Sequence, residues 1–303
     1  MTRATTWSLR FQEWRARGHH HWLLFFLMVA VVVLIGIGLA VYLGDKRARG
    51  PSTKLVVTGK EPKVEDNRPS LRATYRDGPP DMVKYSDGYH SGPLRYVTEE
   101  AARRIGYRIE WEARSFSASV PGLLDGTVDI IPYVFYKTPE REKDSRFSVS
   151  LGLRPRPIYF AINRRFGDHA TIKTMKDLTG RRVGHRKMSY YFHEFQVSTD
   201  IVKVPFDDDY PMSQAFAQGE VEVLVLNNKQ AMERAIASVG FRSYEYADFV
   251  FDMKSDMYYM LPKFPKDASR ADVYANFDVA LQEMMADGTI IRIYKSFQAD
   301  PPL

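Results

Sequence analysis

The sequence predicts an α/β fold carried behind one membrane-spanning helix. Three observations lead there. Strands alternate with helices in the order β-α-β-α-β from residue 71. The same order recurs after residue 155. A 22-residue run without a charge stands near the N-terminus.

That run is Trp22 to Leu43, flanked by aromatic residues at Trp22 and Tyr42. At 1.5 Å per residue it spans about 33 Å, enough to cross the hydrocarbon core of a bilayer. The rival reading, a cleaved signal peptide, fits less well: the apolar stretch exceeds a usual hydrophobic region and no clean small-x-small cleavage pattern follows. Residues 1–50 hold seven basic residues and two acids, which leaves 36 basic and 35 acidic residues in the remainder. The net charge of +6 therefore belongs to the membrane-flanking segment, and no nucleic-acid partner is implied. With no cysteine, disulfides, thiol catalysis and cysteine-based metal sites are excluded. His19-His20-His21 point in different directions around a helix and make a poor metal site. The expected organisation is a cytoplasmic segment 1–21, a transmembrane helix 22–43, a linker 44–69 with a short strand at Leu55-Val56-Val57, and a folded domain 70–303.

Within that domain, Leu71 to Tyr75 reads as the first strand and Arg76 to Pro80 as the loop after it. Leu94, Val97, Ala101, Ala102 and Ile105 recur at helical spacing up to the stop at Gly106. A strand at 107–111 and a short helix at 120–124 follow. The second half repeats the pattern: strands at 158–163, 181–185, 201–204 and 221–226, with helices at 173–180, from Ser189, at 212–218 and at 230–239. The C-terminus, 268–297, is helical with a break at Gly288.

The most informative stretch is Asp129 to Ser148, DIIPYVFYKTPEREKDSRFS. A short buried strand, Asp129-Ile130-Ile131, leads through an aromatic loop to Thr138-Pro139-Glu140-Arg141. These four residues have the marks of a helix start: Thr as N-cap, Pro at the first helical position, an acid in the first turn. A strand feeding a helix through a loop is where open α/β sheets bind ligands. The order of these residues, with Phe147-Ser148 after them, resembles the bacterial extracellular solute-binding proteins of the polar-amino-acid-binding class. Lys176 to Gly184, KDLTGRRVG, and the tail from Asp287-Gly288-Thr289 to Phe297 resemble the same family in the same order.

The resemblance implies a two-lobed periplasmic-binding-protein-like fold, here with a single N-terminal transmembrane helix. Lobe 1 would comprise about 70–153 and 256–303, and lobe 2 about 154–255, with hinges near 152–154 and 253–257. Since positive charge flanks both ends of the span, the family sets the orientation: C-terminal domain in the periplasm, anchor in the inner membrane. It further implies that Arg141 grips a ligand carboxylate, a role its rigid fork of donors suits. The other expected ligand-binding residues are Thr138, Tyr136, Tyr133, Arg76, Ser189, Tyr190 and Asn227. Several depart from the family pattern. Tyr136 stands where a small hydroxyl residue is usual, and Met188 where the second-lobe loop has Gly. Ser189 is expected to cap the helix that follows. Asn227 replaces the acid that holds a ligand ammonium group. Arg76 lies near a position that is acidic in binders of cationic ligands. These changes favour an anionic ligand without an ammonium group. Asp77, Asp207, Asp208 and Asp209 are alternative sources of the missing acid, and the run Asp207-Asp208-Asp209 reads as a solvated turn rather than a metal site.

The leading expectation is a membrane-tethered, non-catalytic protein that binds a small carboxylate-bearing ligand, an amino acid or organic acid, and delivers it to an inner-membrane permease. The alternative is an interaction or sensory subunit of another membrane protein complex, with a degenerate pocket. An enzyme is the third possibility, but the sequence offers no paired acid-base constellation. No metal or cofactor is called for.

Overall fold

The structure is a computed structural model that describes residues 66–132, 136–167 and 172–302. The expected membrane span, most of the linker and Tyr133 lie outside these residues. Among the described residues no helix is long and apolar enough to cross a membrane.

The first lobe opens with β1 (Ser70–Tyr75), the short hairpin β2 (Val83–Lys84) and β3 (His90–Ser91), helix α1 (Pro93–Arg104) and β4 (Arg108–Ala113). β1 and β4 pair in parallel, Ser70 against Arg108 through Tyr75 against Ala113. Helix α2 (Phe116–Asp125) begins at the Ser115 cap and ends at Gly126 in the left-handed region, φ 79°. The strand expected at 129–131 is instead two isolated bridges, Ala73 to Ile130 and Ile131 to Met260. The chain changes partner between Ile130 and Ile131, and Pro132 then brings no N–H, so neither side builds a ladder. Helix α3 (Pro139–Asp144) and β5 (Ser145–Phe147) complete this stretch.

β6 (Leu153–Pro155) then carries the chain into the second lobe. This lobe holds β7 (Tyr159–Asn163), β8 (Arg182–Arg186), α4 (His193–Val197), β9 (Val202–Phe206), α5 (Asp209–Gln218), β10 (Val223–Leu226), α6 (Lys229–Ser238) and β11 (Tyr244–Tyr246). Its sheet order is β11-β7-β10-β8-β9. The β10-β8-β9 part is parallel as expected, while β7 runs antiparallel to both neighbours. β12 (Lys254–Asp256) returns antiparallel to β6, pairing Ser255 with Arg154. β13 (Met260–Pro262), α7 (Ala271–Ala286) and α8 (Thr289–Ser296) close the first lobe.

Alternation along the strands explains the layers. Phe160, Ile162, Val223 and Val225 pack with Tyr191, Phe192 and Phe195 on one face of the five-stranded sheet. Ala161, Leu224 and Leu226 pack with Met212, Phe216, Met232 and Ile236 of α5 and α6 on the other. Gly184 is needed there, because a Cβ would stand 2.8 Å from the Leu224 side chain. In the first lobe, Leu71, Ala73, Val97, Ala101, Phe277 and Leu281 share one core, so the C-terminal helices pack on the first strands.

Candidate functional site

The expected site residues follow the C-terminal ends of strands or lie at the start of α3 and the loop before it, and contacts between the lobes involve Arg141, Tyr136 with Tyr190, and Arg76. Arg76 comes directly after β1, Ser189 and Tyr190 follow β8, and Asn227 follows β10. Arg141 is the third residue of α3, whose N-cap Thr138 accepts a hydrogen bond from the Arg141 amide at 3.4 Å. Thr138 is thereby engaged with its own helix.

Arg141 bridges the lobes. One terminal nitrogen donates to the Tyr136 carbonyl at 2.6 Å and the other to the carbonyl of Met188 in the second lobe. Burial pulls the guanidinium pKa down to about 10, with Glu140 opposing. Met188 takes φ 59°, the left-handed conformation that a glycine would adopt freely. The Tyr136 and Tyr190 rings lie 5.5 Å apart, and the Arg156 guanidinium sits 5.6 Å from the Tyr136 ring. Burial raises the Tyr136 phenol, an effect that Arg156 and then Ser255 counter.

Ser189 is buried, but it does not cap a helix. The following helix starts at His193 with Phe192 as its cap residue and no side-chain cap bond, so the expected helix from Ser189 is shortened to five residues. The solvated turn expected at Asp207 to Asp209 holds only for Asp207, which is exposed in a bend. Asp208 is the N-cap of α5, and Asp209 is buried as its first residue. Asp209 sits 3.4 Å from the Arg186 guanidinium and 3.7 Å from that of Arg76. Arg186 also donates to Asn227 Oδ1. Burial works against the Arg186 charge, but Asp209, Tyr191 and Asp208 together outweigh it and keep the pKa above its ordinary value.

Sequence reasoning missed four of these groups: Arg186, Arg154, Arg156 and Asp81. Asp81 Oδ1 accepts from Arg154 at 2.6 Å and from the Tyr294 hydroxyl at 3.1 Å, which ties the hinge strand β6 to α8. For Arg186 the strand Arg182-Val183-Gly184-His185-Arg186 carries no apolar pattern that would have marked its last residue as buried. Around the cleft the described residues include Arg76, Arg141, Arg154, Arg156 and Arg186, with Asp77, Asp81, Asp208 and Asp209 among the acids. The electrostatic reach among them is direct: Arg156 is disfavoured first by burial and also by Arg186 and Arg76. Among the described residues, no group of three or more His, Asp or Glu is placed to hold a metal ion.

The sequence profile of the bacterial extracellular solute-binding proteins, family 3, matches residues 71–300. The chain belongs to this family. No curated protein sequence matches it. Among solved structures, an ancestral arginine-binding protein bound to glutamine is similar at 22% identity and a TM-score of 0.61, over 77% of this chain and 99% of that one. A mutant of ArgBP from T. maritima is similar at 20% identity and a TM-score of 0.60, over 76% and 96%. An ancestral amino-acid-binding protein, described as a precursor of cyclohexadienyl dehydratase, is similar at 19% identity and a TM-score of 0.56, over 75% and 95%. At these identities the likeness establishes the two-lobed α/β fold, and the family match establishes extracellular solute binding as the family's business.

Proposed function

We propose that this chain is a membrane-tethered solute-binding protein that holds a small carboxylate-bearing ligand between its lobes and passes it to an inner-membrane permease. The anchor would be residues 22–43, with 70–303 in the periplasm and the lobes dividing at β6 and β12. It acts as a binding protein, not a catalyst. The observation that carries this reading is that acids around the cleft are already paired: Asp81 with Arg154, Asp209 with Arg186 and Arg76, and Asp77 with Arg234. No acid among these is left over for a ligand ammonium group. An organic acid suits this cleft better than the arginine that similar structures hold.

The test is the melting temperature of the full chain in detergent against dicarboxylates, aromatic acids and amino acids. A ligand at 100 times its dissociation constant adds about 2.7 kcal/mol, a readily visible shift. An organic acid is expected to raise the melting temperature and arginine to leave it unchanged. Silence across the panel overturns the reading.

One observation favours a second reading, an interaction or sensory subunit with a degenerate pocket. The Arg141 guanidinium is bonded to backbone carbonyls of both lobes, beside two facing tyrosine rings. Recovery of the full chain in a stable membrane complex, with no response to any acid, would select it.

A further inference from the structure

A cavity of about 200 Å³ opens in the first lobe, between the end of α2 and the turn that follows β13. All of its described lining belongs to the first lobe, and none of it is an expected ligand position. The space is below the ~300 Å³ at which clefts hold a metabolite, but it admits a phosphate-sized group.

Part of the lining is apolar, with Leu123, Val128, Pro262 and Pro265, and part is basic. Buried Asp129 organises the basic part. Its carboxylate accepts from Arg72 Nε at 3.0 Å, and Arg270 reaches it at 3.3 Å. One carboxylate thus holds two guanidiniums and exhausts neither. Among the described residues, Arg72 Nη1 makes no hydrogen bond, and the Arg270 guanidinium is ion-paired without one. Lys266 lays its stem across Gly126, where a Cβ would stand 2.7 Å from Lys266 Cγ. Its ammonium has no ion pair among the described residues. Of the acids at the rim, Asp267 accepts from the Ser269 amide and hydroxyl at 3.0 and 2.6 Å, and Asp125 from the Thr127 amide at 2.8 Å. Arg72, Lys263, Lys266 and Arg270 against Asp125, Asp129 and Asp267 leave one positive charge.

Between the two prolines stands Phe264, 74% exposed, the most exposed large hydrophobic side chain among the described residues. The Lys263 ammonium lies 5.8 Å from its ring. Leu124, beside the cavity-lining Leu123, is exposed as well. An aromatic ring flanked by lysines, next to an anion-sized cavity, matches a membrane surface. There rings sit at headgroup level and basic side chains meet lipid phosphates.

We propose that this face of the first lobe docks on an anionic membrane. The cavity takes the phosphate of a phospholipid headgroup, gripped by Arg72, Lys266 and Arg270, and Phe264 enters the interface. A free anion would need the cavity but would give the exposed ring no role. The inference rests on the membrane anchor of the reading above and not on what the cleft binds.

The experiment is amide hydrogen exchange of the full chain in nanodiscs of phosphatidylcholine, with and without phosphatidylglycerol. Exchange over 263–270 should slow about tenfold when phosphatidylglycerol is present, with α6 unchanged. Lys266→Glu and Phe264→Ser, both at exposed positions, should each abolish the slowing and leave the melting temperature unchanged. Equal exchange in the two kinds of disc, or slowing that survives both substitutions, overturns the docking surface. Slowing by inorganic phosphate in phosphatidylcholine discs, indifferent to Phe264→Ser, describes a small-anion site and also overturns it. A chain that stays out of the discs contradicts the anchor alone. Its sedimentation with phosphatidylglycerol vesicles, lost in Lys266→Glu, would then support the docking surface, and failure to sediment would overturn it.

Discussion

Arg141 of the first lobe donates a hydrogen bond to the backbone carbonyl of Met188 in the second, and Met188 holds that carbonyl in place with φ 59°. A charged side chain and a backbone in the left-handed region thus meet at the seam between the lobes. For a residue with a Cβ that conformation costs about 1–2 kcal/mol.

The Met188 side chain is largely exposed, so little packing is lost when it is removed. Met188→Gly is therefore expected to stabilise the chain by about 0.5–1 kcal/mol, the relief of strain being partly offset by the greater freedom of glycine in the unfolded chain. Urea unfolding should show a higher midpoint at an unchanged slope. A lower midpoint would mean that the side chain packs.

His90 stacks on Tyr75 at 3.8 Å and meets Trp111 edge-on, and burial, with Arg95 adding to it, lowers its pKa to about 4. Its unfolded value lies near 6.5. Between those two values the unfolded chain takes up a proton that the folded chain refuses. Stability is therefore fully present above pH 6.5 and falls as the pH drops toward 4. In His90→Phe, which keeps the stack, the slope between pH 6.5 and 4 should flatten. An identical slope in both proteins would place the acid sensitivity elsewhere.

Asp81 holds Arg154 and the Tyr294 hydroxyl together at the hinge, with both charged side chains mostly out of solvent. Removing one member of such a pair strands the other. Asp81→Ala should cost about 3 kcal/mol, and the double variant Asp81→Ala, Arg154→Met should recover part of it. Calorimetric melts of the single and double variants give the coupling directly. Additive effects would show that the pair is not coupled.

Arg186 already donates to Asn227, so an acid at position 227 would be taken by the protein rather than by a ligand. Asn227→Asp should stabilise the fold by about 1 kcal/mol at pH 7. The new carboxylate would titrate below its unfolded value near 3.9, so the gain is present above that pH and lost as the pH falls through the folded value. Melts at pH 7 and pH 3 test this. New binding of a cationic amino acid would show that Arg186 had released the position.

The alternation of strands and helices was legible because apolar residues recur at spacings of two and of three to four, as in Phe160 with Ile162 and in Leu94, Val97 and Ala101. Glycine stops such as Gly126 marked helix ends correctly. What stayed hidden depended on partners distant in sequence. Asp209 looks like part of a hydrophilic run, and only the folded chain brings Arg186 and Arg76 against it. Arg154 and Arg156 look like linker residues until β6 and β12 cross and place them between the lobes. Ser189 failed as a cap because its helix begins four residues later, after Tyr191 and Phe192 have turned inward to the core.

The pairing of β6 with β12 has a consequence for the order in which the molecule is made. The chain enters and leaves the second lobe at neighbouring strands, so that lobe is an uninterrupted insertion whose residues are all synthesised before residue 256. The first lobe must wait. Its core needs Tyr259, Phe277, Leu281 and Tyr294, which emerge last. During synthesis the inserted lobe can condense first, while β1, β4 and α1 remain without their partners until the final helices arrive.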